Sequence, residues 1–308
     1  MNGSTANGHR APAQPPRVCV IGAGSSGITT IKALDERGIP FDCFESSDQV
    51  GGNWVFANRN GMSAAYRQLH INTSREVMEY SDFPMPKSYP DFPHHTHIAA
   101  YFNDYVEHFS LREKITFQTS VEHAEREQDG TWTITLDTSE SRRYDALIVA
   151  NGHHWDPRWP EPQFPGAEQF EGVQMHAHSY IENESLRELD VVVLGMGNSG
   201  MDIAVESSYV ARETYLAARR GVWIIPKYIG GRPVDQPALK LLRNPRVPLR
   251  LRHRIGELVL KQTVGKLSSF GLPEPDHRFG QAHPTVSGRI LDRIAHGTIT
   301  PKPNIARL

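Results

Sequence analysis

Apolar residues along this chain come in two rhythms, short unbroken runs and helical spacings, and their alternation marks the elements. Val18, Cys19, Val20 and Ile21 form an unbroken run that predicts a buried parallel strand. Ile28, Ile31 and Leu34 then follow at helical spacing, Gly38 closes that helix, and Phe41 to Phe44 predict a second strand ending in Glu45. Ile98 to Phe109 has helical periodicity. Ile115–Phe117 and Val121 precede Trp132, Ile134 and Leu136, which alternate with threonines; Asp129-Gly130 between them is a hairpin signal. This stretch predicts an antiparallel β excursion, after which Tyr144 to Ala150 reads as an apolar strand rejoining the parallel sheet. Prolines 157, 160, 162 and 165 mark a linker. Beyond it the opening pattern repeats: Val191 to Leu194 as strand, Met201 to Val210 as helix, Thr214 to Ala217 as strand.

The two strand–helix junctions carry the chemistry. Gly22, Gly24 and Gly27 make a G-x-G-x-x-G turn, with Ser25 and Ser26 opening the helix. The first glycine permits a tight turn, the second lets the backbone approach a pyrophosphate, and the third lets helix and strand pack closely. The helix N-terminus aims its free N–H groups at the phosphates, and Glu45 at the end of the next strand suits a ribose with a free 2′-hydroxyl, as in FAD or NAD. Gly195, Gly197 and Gly200 repeat the turn, with Asn198 and Ser199 at the start of their helix. Here the second strand runs into Arg219 and Arg220 instead of an acid. A guanidinium pairs with a 2′-phosphate that a carboxylate would repel, so the second repeat predicts NADP.

The expected fold class is therefore α/β, with two Rossmann-like dinucleotide-binding domains and the β excursion inside the first. Residues 1–16 lack the apolar core of a signal peptide and read as a flexible tail. Residues 17–165 read as the FAD-binding domain and 166–308 as the NADP-binding domain, with a helical insertion at about 234–275. Within that insertion the basic stretch 243–254 reads as a solvated helical face, with a membrane-surface or nucleic-acid patch as the alternative.

The chain has 308 residues, a formal net charge of −2 and 38% hydrophobic residues, which argues against a general nucleic-acid binder. No apolar run approaches membrane-spanning length, and a cytoplasmic location is expected. Cys19 and Cys43, the only cysteines, lie in the first two strands and read as core packing, which argues against a flavin disulfide reductase with its paired cysteines. His94, His95 and His97, like His153 and His154, lack the cysteine or carboxylate partners of a metal site, so no metal is expected. Gly51-Gly52-Asn53-Trp54 suggests a loop folding over a bound ligand; Asn72, taken alone, is a turn or cap residue.

Together these features resemble the flavin-containing monooxygenases, the class B flavoprotein monooxygenases. The most specific match is Phe170, Gly172, His176 and Tyr180, which resemble the family's F-x-G-x-x-x-H-x-x-x-Y fingerprint, with Ile181 where the family usually has lysine. Gly52, Asn53 and Trp54 resemble its loop on FAD. Gly195 to Asp202 resembles its NADP turn, and Asn72-Thr73 resembles the segment where the family places an active-site asparagine beside the flavin. Gly152, in Ala150-Asn151-Gly152, stands for the more usual A-T-G.

The resemblance implies FAD and NADP as cofactors. It also implies a cycle in which NADPH reduces the flavin and a flavin C4a-hydroperoxide gives one oxygen atom of O2 to an amine or sulfide, with Asn72 as the catalytic residue that stabilises it. His176 and Tyr180 would fix the linker between domains. Tyr180, where ketone-oxygenating members carry tryptophan, favours nitrogen or sulfur over Baeyer–Villiger oxygenation. The resemblance further implies a segment beyond Leu308 that returns to the FAD domain; without it, a nucleotide-binding chain that does not turn over is the other reading. A homo-oligomer is compatible with the sequence.

Overall fold

The computed structural model describes residues 15–236 and 244–308. The expected tail, save Pro15 and Pro16, and residues 237–243 of the expected insertion lie outside the described residues. The chain divides into two units, each assembled from two stretches. Met1–Ser63 joins Ile98–Trp155, and Ala64–His97 joins Asp156–Leu308.

In the first unit the opening apolar run forms β1 (Val18–Ile21), followed by α1 (Ser25–Glu36) and β2 (Phe41–Phe44). Gly27, Ile28 and Ile31 are the buried face of α1, and Gly38, at φ +62°, closes it with an N–H bond to Asp35. The next helix, α2 (His95–His108), buries Ile98, Tyr101, Phe102, Tyr105 and Val106, the i, i+3, i+4, i+7, i+8 stripe that its periodicity promised. Strands β3 (Ile115–Thr116), β4 (Val121–Arg126), β5 (Trp132–Leu136), β6 (Ser141–Tyr144) and β7 (Ala146–Val149) follow. The parallel sheet has order β3-β2-β1-β7, and β4-β5-β6 is an antiparallel meander turned at Gly130, φ +88°.

One expectation changes here: Tyr144 to Ala150 is not a single strand. Tyr144 ends the meander, pairing with Trp132, and only Ala146–Val149 pairs with β1. The Tyr144 hydroxyl donates to Asp42 at 2.6 Å, and its ring joins Cys19, Phe44, Ile134 and Leu136 in one core cluster. The meander thereby covers one face of the parallel sheet. Both thiols are buried, and burial pushes each up to about 12, so they stay protonated packing groups.

The second unit repeats the plan: β8 (Asp190–Leu194), α3 (Asn198–Ser207) and β9 (Glu213–Ala218). Short strands β10 (Ile224–Ile225), β11 (Tyr228–Ile229) and β12 (Arg232–Pro233) come next. After them come α4 (Leu249–Thr263), β13 (Thr285–Val286), α5 (Ile290–Ala295) and β14 (Thr300–Pro303). The parallel sheet has order β14-β9-β8, while β10 pairs β13 in parallel and β11 pairs β12 as a hairpin.

Strand β14 is absent from the sequence reading because Pro301 and Pro303 argue against a strand. Two prolines two residues apart leave their missing N–H groups on one edge, and β14 is an edge strand, so no ladder bond is lost. The expected domain limits also differ from the observed units. Residues 64–97 group with the second unit, where Tyr66 is 4% exposed among Tyr180, Val193, Met201 and Leu216.

Candidate functional site

Each unit places a glycine turn at the carboxyl end of its first parallel strand, and the outer glycines of each turn are required by the chain's own backbone conformation or packing. Gly22 sits at φ +95°, and a Cβ there would stand 2.6 Å from the Ala150 carbonyl oxygen. A Cβ on Gly27 would lie 1.9 Å from the Gly22 carbonyl oxygen. In the second unit Gly195 sits at φ +110°, and a Cβ on Gly200 would lie 2.4 Å from the Gly195 oxygen.

The middle glycines are different. A Cβ on Gly24 would meet only the Gly52 Cα, 3.9 Å away, and one on Gly197 would meet nothing within 4 Å. Packing does not demand glycine at either position, and both leave room for another molecule to approach the backbone. Gly24 and Gly197 are also the N-caps of α1 and α3, and neither helix has a side-chain cap. Two helix N-termini thus stand ready for phosphate, with Ser25 and Ser26 opening one and Asn198 and Ser199 the other. The residues present fit a dinucleotide in each unit.

Around the first turn, Glu45 is 5% exposed and works for the fold as well. Its Oε2 accepts from the Ala23 N–H at 2.7 Å and its Oε1 from the Ser47 N–H at 2.8 Å. An ionised carboxylate has about four acceptor positions, so capacity remains for a ribose. The loop Gly51 to Trp54 lies against this turn: the Gly51 N–H donates to Ala23 O at 3.1 Å, and Gly52 and Gly24 meet backbone to backbone. Asn53 and Trp54 are half-buried in the one-turn helix that follows. Ser47 and Asn58, which sequence reasoning missed, hold that loop. The Ser47 hydroxyl donates to Asn58 Oδ1 at 2.7 Å, and Asn58 Nδ2 donates to Gly52 O at 3.5 Å. Nothing in the polar run around Asn58 distinguishes it before folding. Gly152, at φ +73°, is exposed just beyond the Ala150 carbonyl that presses on Gly22.

Around the second turn the bracing comes from β13. The Thr285 hydroxyl donates to Met196 O at 2.6 Å, and Asn198 Oδ1 accepts from the Val286 N–H at 2.8 Å. Asp202, one turn into α3, accepts from the Tyr66 hydroxyl at 2.6 Å, and Glu206, a turn further, accepts from Tyr180 at 2.5 Å. Burial pushes both carboxyls up, the tyrosine bonds partly opposing it. Tyr180 is fully buried, so the fingerprint tyrosine is a core residue of this unit that locks α3. The His176 ring accepts from the His178 N–H at 3.0 Å and caps a single helical turn. Arg219 and Arg220 follow β9 and are exposed, Arg220 donating to Asp276 at 2.8 Å.

Asn72 and Thr73 belong to the second unit and are not grouped with the first glycine turn. They are half-buried on a bend before a helical turn at Arg75–Met78. Lys227 Nζ approaches Ile71 O at 3.4 Å and Asp235 Oδ2 accepts from the Ser74 N–H at 2.5 Å, so both ends of the bend are tied to one hairpin region. Among the described residues, no group of three or more His, Cys, Asp or Glu side chains could hold a metal ion. Nor is any helix long and apolar enough to cross a membrane.

Known proteins share this arrangement. The pattern of the family described as Flavin-binding monooxygenase-like matches residues 15–308. Flavin-containing monooxygenase 5 of Oryctolagus cuniculus is 35% identical over 94% of this chain and 56% of its own length. Dimethylaniline monooxygenase [N-oxide-forming] 2 of the same species is 31% identical over 95% of this chain and 57% of its own. Among solved structures, S-allyl-L-cysteine S-oxygenase from Allium sativum is 28% identical with a TM-score of 0.61, over 67% of this chain and 52% of that one. The chain thus spans about half the length of the curated relatives it matches. With the family pattern covering every described residue, the chain belongs to the flavin-binding monooxygenase-like family.

Proposed function

We infer that this chain forms the two dinucleotide-binding units of an NADPH- and FAD-dependent monooxygenase. The observation that carries the reading is the pair of middle glycines, Gly24 and Gly197, which the fold leaves free and which cap two uncapped helices. In the first unit the α1 N-terminus, Ser25 and Ser26 would hold the FAD pyrophosphate, with Glu45 on the ribose and Gly52 to Trp54 and Gly152 beside it. In the second, the α3 N-terminus with Asn198 and Ser199 would hold the NADP pyrophosphate, Asp202 would hold the helix through Tyr66, and Arg219 and Arg220 would take the 2′-phosphate.

When bound, FAD supplies the oxygen chemistry and NADPH the hydride. Overall, NADPH, a proton, O2 and substrate give NADP⁺, water and oxygenated substrate, so electrons and oxygen atoms balance. The chain's own part is to bind, orient and keep water out. Asn72, with Thr73 beside it, would offer an amide to the reacting centre. Its bend is held at both ends by Lys227 and Asp235, as a positioned donor requires.

A soft nucleophile, an amine or a sulfide, is the substrate class. The names of two similar proteins, one N-oxide-forming and one an S-oxygenase, support this. Tyr180 does not bear on the choice, because its hydroxyl is spent on Glu206 inside the core.

Purified protein tests the reading directly. A yellow preparation that consumes NADPH in the presence of a thioether and forms sulfoxide is the expected result. A colourless protein that binds nucleotide without turnover would instead support a binding chain, and lactone from a cyclic ketone would move the substrate class to ketones.

A further inference from the structure

A loop of the second unit, residues 273–279, packs on the chain just after β9 and brings an acid onto one of the two arginines there. Three contacts hold the loop in place. Gly221, next after Arg220, is packed so closely that a Cβ on it would stand 2.2 Å from the Pro273 carbonyl oxygen. The Trp223 Nε1–H donates to His277 O at 3.0 Å, and the Trp223 and Phe279 rings meet edge to face with centroids 6.0 Å apart. Pro273 and Pro275 fix φ on either side of Glu274, and that acid is engaged elsewhere, its Oε1 accepting from the Ser268 N–H at 2.8 Å.

Asp276 is the acid of this loop that meets the strand end. Its Oδ2 accepts from Arg220 Nε at 2.8 Å, and its Oδ1 lies 3.1 Å from His277 Nδ1. The His277 bond, and after it the Arg220 bond, hold the carboxyl below the usual carboxylate range, so it is charged at neutral pH. The Arg220 and Asp276 side chains are 65% and 48% exposed, so their pair adds little to the fold and opens without stranding a buried charge. An anchored carboxylate on that guanidinium competes with any phosphate that approaches it.

We propose that Asp276 is a specificity-determining residue of the coenzyme site: it occupies Arg220 in the free protein, and the 2′-phosphate of NADP displaces it. The proposal rests on the assignment of Arg219 and Arg220 to that phosphate. In the exchange Arg220 passes from a carboxylate to a phosphate, which it grips through the same N–H groups, and Asp276 is left to His277 and water. NADP loses affinity twice, by breaking the pair and by setting a phosphate beside a carboxylate. NADH does neither, because its 2′-hydroxyl is neutral and able to donate to Asp276. Asp276 thereby narrows the preference for NADPH that the two arginines create.

Fluorescence titration of the full chain with NADPH and NADH tests this. Asp276→Asn keeps the side chain's shape and an acceptor for His277. It should raise the NADPH-over-NADH affinity ratio roughly three- to tenfold, since an exposed ion pair is worth up to about fivefold and the relieved repulsion adds to it. NADH affinity itself should change less than about twofold, and in an Arg220→Ala background the same substitution should lose most of its effect. Circular dichroism should stay unchanged, because Asp276 is exposed. A ratio that Asp276→Asn leaves alone or lowers, while Arg220→Ala reduces it, would overturn the competition and spare the phosphate assignment. Equal gains for both coenzymes, or the full gain without Arg220, would overturn it too. If Arg220→Ala leaves the ratio unchanged, the phosphate assignment fails and takes the proposal with it.

Discussion

At the end of β2 stands a buried carboxylate with two backbone N–H groups on it; at the end of β9 stand two exposed guanidinium groups. In the strand–turn–helix before each, the first glycine has a positive φ and the third packs on its carbonyl oxygen, and the contrast lies in what each unit asks of the residue that follows. Glu45 is part of the first unit's own bonding, tying β2 to the Gly22 turn. Among the described residues, Arg220 makes a surface pair with Asp276, which is worth little in water, and both arginines are exposed. An exposed side chain with so little part in the fold is available to a ligand. The comparison also separates the glycines: outer ones serve the chain, middle ones leave room.

The largest effect should come from the glycines the fold needs. Gly27→Ala puts a methyl group 1.9 Å from a backbone oxygen and should cost about 3 kcal/mol or more, with Gly200→Ala, at 2.4 Å, somewhat milder. Gly24→Ala and Gly197→Ala should cost no more than about 1 kcal/mol, while weakening nucleotide binding. Urea denaturation of the four variants decides it; equal losses at all four would erase the distinction.

Next in size, Glu45→Ala leaves the Ala23 and Ser47 N–H groups without their acceptor and should cost about 2–3 kcal/mol, as well as flavin retention. Arg219→Ala with Arg220→Ala should leave stability within about 0.5 kcal/mol and reduce the preference for NADPH over NADH by about tenfold or more. Fluorescence titration with both coenzymes reads this, and an unchanged ratio would sink the 2′-phosphate assignment.

The smallest effect is a pH dependence from His95. Burial, helped by the neighbouring His94 and opposed by a backbone hydrogen bond, pulls His95 down to about 4. The folded protein then binds fewer protons than the unfolded chain between about pH 6.5 and 4. The contribution is present above pH 6.5 and is lost as pH falls through about 4. His95→Phe should flatten the stability curve across that window, as measured by urea midpoints at pH 7 and 4.5. An unaltered slope would count against the burial argument.

Much of this molecule was legible before folding. The glycine spacings, α1, α2, the Asp129-Gly130 hairpin and the acid-versus-arginine contrast all rest on local periodicity and turn chemistry, which need only a few neighbouring residues. Ser47, Asn58 and Thr285 were not legible, because the Ser47–Asn58 bond spans 11 positions and the Thr285–Met196 bond 89, and none carries a local signature.

What the chain determined by itself is the pair of strand–turn–helix units, with an acid after one and arginines after the other, since backbone sterics and side-chain period act over short range. The tertiary structure alone decided that residues 64–97 join the second unit, because Tyr66 finds its cluster and its carboxylate there. It alone made a strand of two prolines by placing them on an edge, and put Glu45 in the interior by giving it N–H donors 22 and 2 positions away. Such contacts join distant parts of the chain, and no pattern along it records them.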